Sequence, residues 1–482
     1  MCYMFKQFKS SFHNPIFWVF FLSITYWLYL ASTVGIVLVH DSVGYQELGK
    51  TFYRGGLVEY LTTGPNREPV YPFFISMAMR IADKISVSYT SVLIIMQVIV
   101  LFAAQSLLFL LLQKMKINRW ITAGTLLYMG FSPAIVNMAY SVYSEIATYP
   151  VVLGMVLLGA YCWKNFFRSH YFISALQGLG LAAVFLWITF IKGIYEYIFI
   201  FFFLAFSVRF FITLFTKEKR KYMIGGFIFL LVFGGVFKGG VSYYKSLNQK
   251  YNGTYALADS RGLFSLYSSA ARRTEDMSTK RILAGIVYTM GEGACVDLFG
   301  RDECYFWGIH HYDSYGIPKL QQVHQAYAKN EVSKEMMRLS KEKILQKPLP
   351  FTFWMGMEWA RMFFWESTQI GFVVYPDWLA HIFNHKLFKN IIRLGVSLLS
   401  LISFLYALIF IIKNLKVVFY PEEQSREPVR ILFFILFGIC CHVGMYAIFM
   451  TITRFALPIA PLYLATIAFA LDRILCKKKI KV

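Results

Sequence analysis

The stretch TSVLIIMQVIVLFAAQSLLFLLL, residues 90–112, decides the fold class because it contains no charged side chain. About 20 apolar residues in a helix cross the hydrocarbon core of a bilayer. Backbone amides in hydrocarbon must be hydrogen-bonded within their own segment, so such a stretch is a helix. The sequence therefore predicts an all-α polytopic membrane protein with about ten transmembrane helices. The other predicted spans are 16–39, 119–136, 146–163, 171–190, 194–215, 223–240, 390–412, 430–449 and 455–471.

The composition of the whole chain supports this fold class. Hydrophobic residues make up 57% of the 482 positions and charged residues only 15%, against roughly 25% charged in an ordinary soluble domain. A water-soluble globule is therefore excluded. The first apolar run lacks a small-residue cleavage pattern, which indicates a retained signal-anchor.

The basic residues predict the orientation of the chain. They cluster before the first span, in alternate turns between spans, and after the last span. With an even number of spans all clusters share one face, which the positive-inside rule makes cytoplasmic. Short turns do not form the contiguous surface that nucleic acid requires, so the net charge of +22 does not indicate nucleic-acid binding. Short turns and compact size favour a bacterial inner membrane, with the functional face towards the periplasm or exterior.

Three regions follow from the span pattern. Residues 1–240 form a transmembrane module whose first outer loop is 40–88, with a short amphipathic helix predicted at 41–54. Residues 241–388 form the larger extracytoplasmic loop region, with outer-face amphipathic helices, and 389–482 supply the last transmembrane helices. Aromatic residues and charges alternate within 346–376, which predicts an interfacial helix anchored in the membrane surface. An extra span in that segment is the alternative.

Two cysteines lie in the larger outer loop, in GACVDLFGRDEC at residues 293–304. An oxidising compartment permits a disulfide between Cys295 and Cys304. Two free thiols are the alternative. A zinc site that uses His310 and His311 is a further alternative, although adjacent side chains point apart in a helix or strand.

Candidate catalytic residues begin with Asp41, in HDSVGY directly after the first span. A carboxylate at the membrane surface can act as a general base towards an attacking hydroxyl or amine. The alternative is that Asp41 only caps a helix. The element REPVYP, which starts at Arg67, follows in the same loop.

Three more charged residues are predicted at the same face. Glu145 begins a span, Lys192 lies in a very short outer turn, and Arg454 precedes the last span in TRFALPIAPLYL. Membrane-boundary charges are costly and often functional, and a guanidinium offers fixed donors to phosphate oxygens. The alternatives are a solvated helix start for Glu145 and a lysine that reaches to water for Lys192.

These motifs together resemble the GT-C superfamily of membrane glycosyltransferases, in its protein O-mannosyltransferase-like and aminoarabinose-transferase-like branch. The resemblance rests on HDSVGY, the Arg-x-Pro-x-x-Pro element REPVYP, the acid in YSE and TRFALPIAPLYL. It implies a polyprenyl-phosphate sugar donor and an acceptor lipid, glycan or protein at the extracytoplasmic face. The mannosyltransferase branch usually has Asp-Glu in the first loop, whereas Ser42 follows Asp41 here, so the acceptor stays open.

The resemblance also implies residue roles. Asp41 is the general base or acceptor-positioning acid, and Glu145 is the second-loop acid. Arg67 and Arg454, with Lys192, hold the donor phosphate. The residues expected to line the substrate groove are Tyr45, Glu68, Tyr71 and Tyr143.

The expected reaction is direct displacement at the anomeric carbon, with inversion and with basic side chains in place of a metal. No metal motif or cofactor is predicted. A lipid-linked glycan flippase or transporter is one alternative function, and an O-antigen ligase or polymerase is another.

Overall fold

The computed structural model describes residues 14–64, 67–166, 170–215, 223–258, 261–275, 278–308, 310, 312–366, 372–419, 426–449 and 451–476. Within these residues, nine helices are long and apolar enough to cross a membrane. The all-α, multi-pass prediction is therefore confirmed. The nine helical stretches are Pro15–Thr33, Tyr89–Lys114, Glu145–Asn165, Tyr171–Thr189, Tyr195–Leu214, Met223–Asn252, Leu387–Lys413, Glu427–Phe449 and Arg454–Cys476.

A tenth, bent element accounts for the predicted span at 119–136. The helix Arg119–Phe131 is followed after one residue by the segment Pro133–Tyr140, at an angle of 52°. Proline lacks a backbone N–H and disfavours a helical conformation at the residue before it, so the break falls at Ser132. The Ser132 hydroxyl accepts from the backbone N–H of Ile135 and starts the second segment. The bend brings the chain round to the start of the helix at Glu145.

The loop predicted at 40–88 on the outer face contains two helices, more than the sequence predicted. The first span ends at Thr33 rather than at 39, because Gly35–Ile36 pairs antiparallel with Val373–Val374 as a short two-stranded sheet. The helix predicted at 41–54 runs instead over Asp41–Thr62, with a break at Gly56, where φ is 66°. A left-handed φ of this kind favours glycine.

The second helix of that loop, Val70–Ile85, begins inside REPVYP. We call Asp41–Thr62 and Val70–Ile85 together the outer hairpin. Gly49 of the first helix lies so close to the second that an added Cβ would be 2.5 Å from Ile75. The two helices of the hairpin therefore pack directly against each other.

The described residues of the larger region predicted to be outer, 241–388, form mostly short helices with their own small apolar clusters. One cluster surrounds the disulfide between Cys295 and Cys304, whose Cα atoms are 5.8 Å apart. The span that begins at Met223 continues to Asn252, through the predicted boundary at 240. The short helices are Arg261–Arg273, Thr279–Met290, Glu292–Phe299, Arg301–Tyr305, Ile317–Ala326, Lys329–Gln346, Pro348–Arg361 and Asp377–Asn384.

Within the aromatic segment at 346–376 the structure describes 346–366 and 372–376, and several aromatic rings of that part pack into the protein. Pro348–Arg361 is a helix of 14 residues, too short for a span. Trp354 and Trp365 are buried, so their rings fill the protein interior rather than anchor in the membrane surface. The prediction of an interfacial helix anchored by these rings was wrong for those two tryptophans. The cause is tertiary packing, since Trp354 contacts Trp307 and Trp365 stacks on Tyr463.

Candidate functional site

Asp41 is the first residue of the outer hairpin and lies where the chain leaves the short sheet. The preceding residue, His40, has a φ of 51°, an uncommon conformation for a residue with a Cβ. The Ser42 hydroxyl accepts from the N–H of Val39 and donates to its carbonyl. This turn directs the Asp41 carboxylate towards two arginines. The residue at the N-cap position is His40, so Asp41 is the first helical residue and not the cap.

The two oxygens of Asp41 are held by two guanidinium groups. Arg67 Nη2 lies 2.5 Å from Oδ1, and Arg454 Nη2 lies 2.6 Å from Oδ2. Burial alone would raise the pKa of Asp41, but the two cations outweigh it and hold that pKa well below its usual range. Each guanidinium also lies over an aromatic ring, Arg67 on Tyr45 and Arg454 on Tyr143. The rings fix the orientation of both cations.

Glu145 forms the second half of the site. It begins the span Glu145–Asn165 and its side chain is only 1% exposed. Lys192 Nζ lies 3.0 Å from Oε1, and Arg454 Nε lies 3.4 Å from the same oxygen. Burial would lower the pKa of Lys192, but the adjacent Glu145 outweighs it and raises that pKa. Lys192 is therefore a charged partner of Glu145 and not a lysine that reaches to water.

Arg454 joins these pairs into one cluster, because it contacts both Asp41 and Glu145. We call the five side chains Asp41, Arg67, Glu145, Lys192 and Arg454 the charge cluster. Two carboxylates face three cations, which leaves one unit of positive charge in a largely desolvated position. Such a surplus favours an anionic ligand.

Glu68 and Gly193 connect the arginine element to the lysine turn. The backbone N–H of Gly193 donates to Glu68 Oε1 at 2.6 Å, and the N–H of Val70 donates to the carbonyl of Phe190 at 3.0 Å. A Cβ at Gly193 would be 2.8 Å from that carboxylate oxygen, so a larger residue there would push the Glu68 side chain away from the backbone N–H. Glu68 therefore positions the turn that carries Lys192, and because its side chain is only half-buried, its place in a substrate groove stays a prediction.

The three tyrosines predicted to line a groove are buried, unlike Glu68. The Tyr45 hydroxyl lies 2.9 Å from Ser144 Oγ, and the Tyr71 hydroxyl donates to Gln97 at 2.8 Å. Tyr143 donates to the Val39 carbonyl at 3.2 Å. With relative exposures of 3% or less, they support the charge cluster from behind and do not line an open groove. The sequence could not distinguish a groove wall from a buried position behind the charge cluster, because tyrosine, with its aromatic ring and polar hydroxyl, suits both.

Two polar neighbours of the charge cluster were not predicted from the sequence, although each interrupts an apolar run. Gln97 donates to the carbonyls of Ala139 and Ser141, which places the chain just before Glu145. His442 donates from Nε2 to the Phe455 carbonyl at 2.8 Å, so its Nδ1 accepts from the Tyr195 hydroxyl at 3.1 Å. His442 thereby fixes the residue next to Arg454. An isolated Gln or His within a span is the signal that would have identified them.

Among the described residues, no three His, Cys, Asp or Glu side chains are placed to hold a metal ion together. His310 lies 3.5 Å from Glu292, while His311 lies outside the described residues. An anion at this site would instead bind the three cations of the charge cluster, Arg67, Lys192 and Arg454.

Comparison of the chain with protein-family models, curated proteins and solved structures finds no match. We therefore interpret the charge cluster from its geometry and from the motifs that carry its residues.

Proposed function

We propose that the protein is a membrane glycosyltransferase that moves a sugar from a polyprenyl-phosphate donor to a lipid, glycan or protein acceptor. The reaction takes place at the extracytoplasmic face, in a bacterial inner membrane. The observation that carries the proposal is the Asp41 carboxylate held between Arg67 and Arg454, beside the Glu145–Lys192 pair. This arrangement supports the proposal because a carboxylate that can take a proton from an acceptor adjoins cations that can bind a phosphate.

The cations suit the donor phosphate. Guanidinium groups present parallel N–H donors to phosphate oxygens, and Lys192 adds a point charge. An entering phosphate competes with Asp41 for Arg67 and Arg454, because those guanidiniums bind the Asp41 carboxylate in the free protein. Donor binding therefore exchanges one anionic partner of the two guanidiniums for another, so both cations stay paired.

The same exchange prepares Asp41 as a base. In the free protein the two arginines lower the pKa of Asp41, which makes its carboxylate a weak proton acceptor. When the donor phosphate draws the guanidiniums away, the pKa of Asp41 rises and the carboxylate becomes more basic. The base is thus activated only when the donor is present.

The transfer then follows from these placements. The acceptor hydroxyl or amine attacks the anomeric carbon, and the bond from that carbon to the phosphate oxygen breaks. The acceptor proton passes to Asp41, while Arg454 and Lys192 stabilise the charge on the departing polyprenyl phosphate. Direct displacement gives inversion at the anomeric carbon. The step uses no metal ion, so activity is expected to survive chelation.

The test pairs purified protein with a panel of polyprenyl-phosphate sugars and measures release of free polyprenyl phosphate. Removal of a general base costs about 10²- to 10⁴-fold in rate, so Asp41→Asn should lose release by about that factor. Glu47→Gln is the matched control, since Glu47 lies exposed on the same helix and forms an ion pair with the neighbouring Lys50. Equal release by wild type and a folded Asp41→Asn variant would remove Asp41 from the chemistry.

Two further arms separate the alternative functions. Polyprenyl-diphosphate glycans test the ligase or polymerase, which would release polyprenyl diphosphate. Proteoliposomes with a fluorescent lipid-linked sugar test the flippase, which would move intact donor between leaflets without cleavage. Either result, without release from a monophosphate donor, would replace the transferase proposal.

A further inference from the structure

A second charged site lies on the outer hairpin, away from the residues of the charge cluster. A cavity of about 570 Å³ opens between the two helices of the hairpin. Its lining includes Tyr53 and Arg54 from the first helix and Arg80, Asp83 and Lys84 from the second. Neither the sequence motifs nor the proposed transfer reaction uses these residues.

The charges of this cavity are unbalanced. Asp83 is its one acid, and its carboxylate accepts a hydrogen bond from the Tyr53 hydroxyl. Arg80 donates to the backbone carbonyls of Phe52 and Tyr53 at 3.3 and 3.0 Å. In the described part of the chain, Arg54 and Lys84 are exposed and make no hydrogen bond or ion pair. Three cations against one acid leave a net charge of +2 that faces solvent.

An apolar groove adjoins the charged cavity. It has a volume of about 320 Å³ and is lined mainly by Phe52, Leu57, Val70, Phe73 and Trp187. Arg80 lines both the groove and the charged cavity, so the two spaces meet at its side chain. A ligand that occupies both must be anionic at one end and apolar at the other.

The surrounding surface is typical of a helix at a membrane interface. Phe73, Met77, Ile81 and Ile85 recur every four residues on Val70–Ile85 and are all exposed. Arg80 and Lys84 lie along the same side of the helix. An apolar stripe with adjoining cations is how an amphipathic helix lies in the boundary of an anionic bilayer.

We propose that the outer hairpin binds an anionic phospholipid of the membrane. Its phosphate lies between Arg54, Arg80 and Lys84, and one acyl chain enters the apolar groove. Charge complementarity selects the anionic headgroup, and the groove selects a lipid over free phosphate. The inference does not depend on the proposed sugar transfer, because it uses none of the five residues of the charge cluster.

The test measures lipids bound to the purified full-length protein by native mass spectrometry, with phosphatidylglycerol and phosphatidylcholine of identical chains. Wild type should prefer phosphatidylglycerol. An exposed cation near an anionic lipid surface contributes roughly a fivefold gain in binding, so Arg54→Gln/Lys84→Gln should lower the preference by roughly tenfold or more. Lys334→Gln/Lys341→Gln is the matched control, because it removes two exposed cations from another outer helix. The control should keep the wild-type preference.

Further arms identify the part of the ligand that is recognised. Leu57→Trp, which fills the groove, should weaken phosphatidylglycerol binding without loss of the four hairpin charges. Inorganic phosphate should not compete at millimolar concentration. Equal binding of both phospholipids by wild type, or an equal fall in the control, would overturn the proposal. Stronger binding of polyprenyl phosphate than of phosphatidylglycerol at this site would also overturn it.

Discussion

Asp41 and Arg454 are 413 positions apart in the chain, and their side chains meet at 2.6 Å. Asp41 follows the first span, and Arg454 stands at the entrance to the last. The contact therefore requires both ends of the membrane domain to be in place. Because Arg454 also reaches Glu145, the charge cluster forms only when three separate helix ends come together.

Arg454→Lys should impair donor binding although it keeps the positive charge. Arg454 uses Nη2 for Asp41 and Nε for Glu145, whereas a single ammonium cannot reproduce that fork. We expect the KM for the polyprenyl-phosphate sugar to rise by about tenfold or more, the equivalent of one charge-assisted hydrogen bond. Steady-state kinetics of polyprenyl phosphate release measure it. Arg119→Lys, at an exposed helix start, is the control, and equal KM values for both variants would contradict a forked contact.

Lys192→Met should destabilise the protein more than Glu145→Gln/Lys192→Met does. Lys192→Met removes the nearest cation of the buried Glu145, which keeps only its longer contact to Arg454, and loss of one partner of a buried ion pair costs about 3 kcal/mol. The double variant removes both charges, so most of that cost should disappear. Thermal unfolding in detergent measures the difference between the variants. The double variant should remain inactive, which separates the stability of the pair from its part in catalysis.

Cys295→Ala/Cys304→Ala should destabilise the larger outer region while the transmembrane helices stay folded. The two cysteines are nine positions apart, and closure of so short a loop contributes about 2–3 kcal/mol in the chain-entropy account. Limited proteolysis should therefore cut the variant faster near residues 280–308. Cys162→Ala, which removes a buried free thiol in a span, is the control. If the control were also cut faster near residues 280–308, the effect could not be assigned to loss of the disulfide.

Glu366 should make stability depend on pH. Burial raises the pKa of Glu366 from its usual 4.5 to about 7, although Tyr128 and Ser132 donate hydrogen bonds to it. The folded protein thus binds a proton that the unfolded chain releases, so stability is highest below pH 4.5 and falls as the pH rises to about 7. The loss reaches up to about 3 kcal/mol.

The melting temperature of wild type relative to Glu366→Gln should therefore fall between about pH 5 and about pH 8. Glu342→Gln is the control, because Glu342 is exposed on the outer helix Lys329–Gln346. If the difference in melting temperature between wild type and Glu366→Gln stayed constant across this pH range, Glu366 would have the same pKa in the folded and the unfolded protein.

The sequence was sufficient to predict the members of the charge cluster. Each lies at or near the end of an apolar run, and the alternation of spans assigns those ends to one face. The span count followed from the same pattern, with the Ser132–Pro133 break as its one bent case. The pattern could not predict which side chains meet. Arg454 contacts Asp41 and Glu145 only because helices that are distant in sequence pack together.

The outer region was less predictable for a physical reason. Its helices are short, and their positions depend on buried contacts between distant residues. Arg272, Glu358 and Arg361 form a buried network there, with Glu358 accepting from both arginines. In sequence these three are ordinary charged residues of amphipathic helices. The arginines lower the pKa of Glu358 to about 2 against the effect of burial, which only the folded structure brings about.

The short sheet of Gly35–Ile36 with Val373–Val374 fixes a length as well as a position. Four residues, 37–40, separate the paired strand from Asp41, and they act as a spacer whose size sets where the carboxylate falls. One inserted residue in extended conformation would displace Asp41 by about 3.3 Å, more than the lengths of its contacts to Arg67 and Arg454. This spacer should therefore tolerate substitution far better than insertion or deletion, because substitution keeps its length.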